Sequence, residues 1–173
     1  MGAEVPVTER ARASDRLGEL YRRHAADAVR LGYLLTGDRT LAEDLAHEAF
    51  VRLYGRFQDL RNPDAFEWYL RRTVLNLVRS HFRHAKVERS YVDRASGEPG
   101  RAQPDPAAGS DREAMWQTLL QLPERQRSAI VLRYYEDLSE ARTAELLRCP
   151  VGTVKSLVSR GLERLRRDIG RGE

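Results

Sequence analysis

Apolar residues recur at intervals of three and four over residues 17–82 and again over 115–169, and neither block holds a run of alternating polar and β-branched residues. Such spacing restricts the chain to packed helices. The predicted class is all-α. Between the blocks, residues 91–111 carry Gly97, Gly100 and Gly109 with Pro99, Pro104 and Pro106 among serine, alanine and charged residues, the composition of a linker. A segment of about 25 residues reaches at most roughly 80 Å when extended. The predicted organisation is therefore two small helical domains joined by a flexible linker. A mobile polar tail occupies 1–16, the first domain 17–88, the linker 89–111 and the second domain 112–173.

Composition narrows the chemistry. The 173 residues include 30 basic and 26 acidic side chains, a formal charge of +4. That excess is small, so any recognition of nucleic acid must come from where the charge sits. No stretch approaches the roughly 18 apolar residues of a membrane span, and the N-terminus has no apolar leader, which predicts a cytoplasmic protein without direct membrane insertion. Cys149 is the sole cysteine. It excludes an internal disulfide and reads as filler in a turn. His81 and His84 lie three apart without a placed third ligand, so no metal site is expected. No cofactor, small-molecule substrate or catalytic constellation is expected either.

In the first block, residues 20–36 read as a helix with Tyr21, Ala25, Ala28, Val29 and Leu35 on its apolar side, broken by Thr36, Gly37 and Asp38. A second helix over 40–57 buries Ala42, Ala46, Ala49, Phe50, Leu53 and Phe57. Its other side carries Asp44, His47, Glu48 and Val51, two carboxylates, an imidazole and one aliphatic on a common face. That face suits either solvent or a partner. Asn62, Pro63 and Asp64 form a turn, and a third helix over 64–83 buries Leu70, Val74, Leu77 and Val78. Arg72, Asn76, Arg79 and Arg83 share another face of it. Clustered arginine beside Phe66, Trp68, Tyr69 and Phe82 suits phosphate contact and stacking on unpaired bases, or else a basic solvent face over core aromatics.

In the second block, Pro123 starts a helix that runs to residue 135, and Ser139 is the predicted N-cap of a short helix over 140–147. Arg148, Cys149 and Pro150 make the turn. The last helix carries Val151, Val154, Val158, Leu162, Leu165 and Ile169 at helical spacing, a predicted core stripe. A short helix, a turn and a basic amphipathic helix make a helix-turn-helix. Thr153, Lys155, Ser156, Ser159 and Arg160 lie off the stripe near the helix start, where hydroxyls and cations meet phosphates or base edges.

Here the residues resemble a known family. Leu122-Pro-Glu-Arg-Gln-Arg, then Arg133-Tyr-Tyr-Glu-Asp-Leu-Ser, then Cys149-Pro-Val-Gly-Thr-Val-Lys-Ser is similar to domain 4 of the extracytoplasmic-function (ECF) sigma factors of bacterial RNA polymerase. Leu41-Ala-Glu-Asp-Leu-Ala-His-Glu-Ala-Phe-Val-Arg-Leu-Tyr resembles the family's region 2.2. Asn62-Pro-Asp-Ala-Phe followed by Asn76 resembles regions 2.3 and 2.4. The likeness spans residues 17–167 and is greatest to the actinobacterial SigE-like group.

The resemblance implies a non-enzymatic subunit that binds core RNA polymerase, directs it to promoters and helps melt the minus-ten element. It implies that Asp44, His47, Glu48 and Val51 dock on the β′ clamp, with a further contact to the β flap. Arg61, Asn62 and Phe66 would belong to a loop that captures an extruded base, with Asn76 facing it and Arg72, Arg79 and Arg83 holding the backbone. Thr153, Lys155, Ser156, Ser159 and Arg160 would read the minus-thirty-five duplex, and an anti-sigma factor is a possible inhibitor. The chain departs from the family's pattern at Leu157, where an arginine is common, at Arg148, where a glycine is usual, and at Arg142 and Thr143, which replace Glu-Ile. The competing function is a dimeric helix-turn-helix regulator that binds duplex DNA without polymerase.

Overall fold

The computed structural model describes residues 7–57, 63–92 and 110–169, and over these it contains helices and turns and no strand. Residues 1–6, Arg61, Asn62 and linker residues 93–109 lie outside the described residues, as do the side chains of Phe57 and Ile169. Helix α1 (Val7–Thr36) starts earlier than its apolar spacing announces, so the stretch expected to be a tail is helical from Val7. Helices α2 (Arg39–Phe57) and α3 (Pro63–Val92) follow, and α3 continues to Val92 instead of stopping near residue 83.

Two local devices join α1 to α2. Gly37 takes φ 75°, a left-handed conformation that costs glycine nothing, and its N–H donates to the Tyr33 carbonyl at 2.8 Å. Asp38 then caps α2, its Oδ1 accepting from the Leu41 N–H at 3.0 Å. The two helices pack closely, and α3 covers both. Their shared core is Leu31, Leu35, Ala42, Ala46, Ala49, Phe50 and Leu53 against Leu70, Val74, Leu77 and Val78, all buried. Each fully buried leucine there contributes roughly 2 kcal/mol of transfer free energy.

The second half is built from α4 (Ser110–Leu120), α5 (Glu124–Ile130), α6 (Glu140–Leu147) and α7 (Val151–Ile169). The helix expected from Pro123 to residue 135 is α5 followed by a π-helical turn, Val131–Tyr135. Ser139 caps α6 as its sequence predicts, with Oγ accepting from the Arg142 N–H at 3.2 Å. Along α7 the core side is Val154, Leu157, Gly161 and Leu165, with Val158 and Leu162 half-buried and Val151 exposed, so the buried stripe is rotated from the one that valine and leucine spacing suggested. Gly161 faces Ile130 of α5. A Cβ there would stand 2.6 Å from Ile130 Cδ1, so a larger residue would force the Ile130 side chain to shift.

Arg148 ends α6 with φ 50°, the left-handed conformation that favours glycine. An L side chain pays on the order of 1 kcal/mol there. Arg148→Gly is accordingly expected to stabilise the chain by about 1 kcal/mol and raise its thermal midpoint by about 2–4 °C. A midpoint unchanged or lowered in calorimetry would contradict this account of the turn. Thr143 is fully buried and its hydroxyl finds no hydrogen-bond partner, so the threonine in place of isoleucine carries a desolvation cost without a compensating bond.

The two halves are in contact. Helix α1 touches α4, α5 and the π-helical turn, and the Tyr33 and Trp116 rings stack with centroids 4.8 Å apart and planes at 12°. One hydrophobic cluster runs from Leu31 and Val74 through Trp116 to Leu132 and Val154.

Candidate nucleic-acid interface

Burial on one side of α2 fixes what the other side presents. Leu45, Ala46, Ala49 and Phe50 are buried, while Asp44, His47, Glu48 and Val51 all face solvent. Val51 is 59% exposed, and Tyr54, one turn further, is exposed beside it. Arg52 donates to Glu48 Oε1 at 2.5 Å, an exposed pair worth little to stability. The result is an acidic helix face with an apolar strip, suited to a protein partner carrying cations. Tyr54 was not among the residues expected from sequence; its spacing of three from Val51 was the signal.

The α3 stripe is divided by the fold. Arg72 and Arg83 are exposed, whereas Asn76 and Arg79 are half-buried. Arg79 Nη2 donates to the Leu147 carbonyl, in the second half of the chain, at 3.3 Å. Burial pulls the Arg79 guanidinium below its usual pKa, opposed by Glu124 and reinforced by Arg125 and Arg148. It remains a cation.

Phe66 corrects an expectation. It was assigned to the base-capturing loop, but it is 0% exposed, its ring tilted against Phe50 at 5.7 Å and against His24 at 5.6 Å. A residue enclosed on all sides by α1 and α2 cannot stack on a base. Of the other aromatics named on α3, Trp68 and Phe82 are engaged and Tyr69 is exposed. The Arg142 guanidinium lies 4.6 Å above the Trp68 ring and that of Arg127 5.5 Å above Phe82. Arg127, buried and with its pKa lowered chiefly by that burial, also donates to the Leu120 carbonyl at 2.6 Å. Arg61 and Asn62 lie outside the described residues.

The helix-turn-helix presents its predicted face. Lys155, Ser156, Ser159 and Arg160 are exposed on the first turns of α7, with Thr153 half-buried among them. Three of them are held in place locally. Lys155 Nζ lies 3.6 Å from Glu140 Oε2, Ser156 Oγ donates to the Gly152 carbonyl at 3.0 Å, and Arg160 Nε donates to the Ser156 carbonyl at 3.1 Å. Hydroxyls and cations so placed can contact phosphates and base edges in a groove wide enough for a helix. Leu157 belongs to the other side of α7, only 8% exposed. It belongs to the core cluster, so the missing arginine does not leave a gap in the exposed row.

No described helix is long and apolar enough to cross a membrane.

Two family models match the chain, Sigma-70 region 2 over residues 20–87 and Sigma-70, region 4 over residues 112–165. The chain is 34% identical over 152 residues to the RNA polymerase sigma-E factor of Streptomyces coelicolor, covering 87% of this chain and 85% of that protein. It is 32% identical over 151 residues to the ECF RNA polymerase sigma factor SigW of Bacillus subtilis, covering 80% of this chain and 81% of that one. Among solved structures, the sigma factor RpoE of Bartonella quintana, in complex with the anti-sigma factor NepR, superposes with a TM-score of 0.74 at 22% identity, covering 88% of this chain and 96% of RpoE. CnrH, in complex with the cytosolic domain of CnrY, gives 0.64 at 21% identity, covering 96% and 97%. These two structures share the fold.

Proposed function

The chain belongs to the extracytoplasmic-function sigma factors, and on that premise we propose which of its surfaces does what. It binds core RNA polymerase, directs it to promoters and helps open them. The observation that carries this reading is the order of parts within one chain. A three-helix module matched as region 2 is followed by a helix-turn-helix matched as region 4. A dimeric operator-binding regulator has no use for the first of these.

The α2 face with Asp44, His47, Glu48 and Val51 docks on the β′ clamp, the carboxylates meeting cations and Val51 an apolar patch. The first half, bounded near residues 17–88, opens the minus-ten element. There Asn76 faces the base that leaves the stack, and Arg72, Arg79 and Arg83 neutralise backbone phosphates. The second half, near 112–173, lies against the β flap and sets α7 in the major groove of the minus-thirty-five element through Thr153, Lys155, Ser156, Ser159 and Arg160. The intervening residues join the two sites. An anti-sigma protein that covers the docking faces would hold the chain inactive.

Extruding a base costs a few kcal/mol, which a shaped pocket offsets by hydrogen bonding and stacking. Removing one such hydrogen bond costs about 1–1.5 kcal/mol, so Asn76→Ala is expected to lower open-complex formation about tenfold. Core affinity should stay within about twofold, because α2 is untouched. Equal open-complex formation by variant and parent would count against the base-facing role. The proposal as a whole is tested by run-off transcription on genomic promoter fragments. Core polymerase with the chain is expected to give discrete transcripts that core alone does not, and a transcript pattern unchanged by the chain would refute it.

A further inference from the structure

Two cations stand in the exposed row of α7, and a carboxylate lies beside one of them. Arg160 donates its Nε–H to the Ser156 carbonyl of its own helix. Lys155 is held differently. Its Nζ lies 3.6 Å from Oε2 of Glu140, which belongs to the first turn of α6, the other helix of the helix-turn-helix. The second acid of α6 is answered within that helix, Glu145 Oε2 accepting from Arg142 Nη1 at 3.2 Å. Glu140 is the one that reaches α7. Both members of its pair stay largely in solvent, 63% exposed for Lys155 and 41% for Glu140, so the pair adds little to stability. Its consequence lies in what an approaching polyanion meets.

When a helix-turn-helix docks, its second helix enters the major groove and its first crosses the sugar–phosphate backbone. On that geometry Glu140 faces the strand flanking the groove, where a carboxylate repels phosphate. The same carboxylate holds the Lys155 ammonium beside it, so a phosphate can take Lys155 only by displacing Glu140. A base edge makes no such demand. Guanine offers O6 and N7 as uncharged acceptors in the major groove, and an ammonium has three N–H donors to divide between partners. The residue type matters here. Only two of the 30 basic residues are lysine, Lys86 and Lys155. A planar guanidinium at 155 would be fixed in a bidentate fork with the carboxylate, whereas a compact ammonium on a flexible stem pairs loosely and still turns its other donors to a base.

Resting on the minus-thirty-five reading of α7, we propose that Glu140 is a specificity-determining residue that acts through Lys155. It withholds the lysine from phosphates, which any sequence supplies, and reserves it for a guanine edge, which only the right sequence supplies. Glu140 itself touches no base; it is a positioning residue. The acid thereby lowers sequence-independent affinity, which rests on phosphate contacts, and leaves affinity for the matching element nearly intact.

The test uses the full chain assembled with core polymerase and two promoter fragments that share one minus-ten element, the first with an intact minus-thirty-five element and the second with that element scrambled. Binding is measured over a range of salt concentrations. Glu140→Gln should raise affinity for the scrambled fragment about tenfold and for the intact fragment less than about threefold, so that discrimination falls. On the scrambled fragment the logarithm of affinity should also drop with the logarithm of salt more steeply by about 0.9, the mark of one further phosphate contact. In a Lys155→Gln background the same exchange at 140 should leave that slope unchanged and lose most of its effect on affinity. No gain on the scrambled fragment, equal gains on both fragments, or a full gain in the Lys155→Gln background would overturn the role of Glu140. If the parent itself does not discriminate between the fragments, the assignment of α7 to the minus-thirty-five element falls, and this proposal with it.

Discussion

With Asp44 and Glu48 both replaced by arginine, affinity for core RNA polymerase is expected to fall about a hundredfold while the fold is retained. The two carboxylates stand on the exposed side of α2, one turn apart and next to Val51, opposite the buried row of Leu45, Ala46 and Ala49. On the proposed docking, each reversal removes an attraction to cations of the clamp and creates a repulsion in its place. Like-charge juxtaposition at an interface costs several kcal/mol, and about 2.8 kcal/mol is a hundredfold. Inside the free chain the same changes touch only solvent and the exposed Glu48–Arg52 pair, so stability should shift by no more than about 0.5 kcal/mol. Equilibrium binding to labelled core, with circular dichroism as the control, separates the two effects. Undiminished affinity in the double variant would remove α2 from the docking site.

Phe66→Ala is expected to be the most damaging single change to the fold. The ring is completely enclosed at the start of α3, between Phe50 of α2 and His24 of α1. Truncating a buried phenylalanine to alanine costs about 3–5 kcal/mol through lost transfer energy and the cavity left behind. Against a typical domain stability of about 5–15 kcal/mol, that leaves a marginal protein. Urea unfolding should show the midpoint displaced accordingly, and promoter melting should fail because the three-helix core has loosened. A base-stacking residue would behave in the opposite way, with stability intact and melting alone impaired. The stability measurement therefore decides which role Phe66 has.

Sequence patterning reached far into this fold because helices are local. Ser139 capping α6, the turn at Arg148 and Cys149, the break at Gly37 and the buried faces of α2 and α3 all follow from residue type and spacing. Its errors are also physical. On α7, valine and leucine spacing pointed to one face, but Gly161 contributes no side chain to any pattern. Its value lies in letting Ile130 approach, so the true core side through Leu157 and Gly161 was hidden. Phe66 carried two readings, aromatic platform or core ring, and only the positions of α1 and α2 distinguish them. The early start of α1 and the long end of α3 are polar stretches with little apolar signal. Contacts between distant parts of the chain left no trace at all. Glu136 looks like an ordinary helix-ending residue until α1 and α3 place Arg30 and Arg71 beside its carboxylate.

The central claim is that two helical modules grip one polymerase and open a promoter for it. It is tested most directly by permanganate reactivity of minus-ten thymines on a responsive promoter fragment, with core polymerase, with the chain, and with both. The account predicts reactive, unpaired thymines only when both proteins are present. Thymines that stay protected under all three conditions, while the chain alone shifts the duplex, would contradict it.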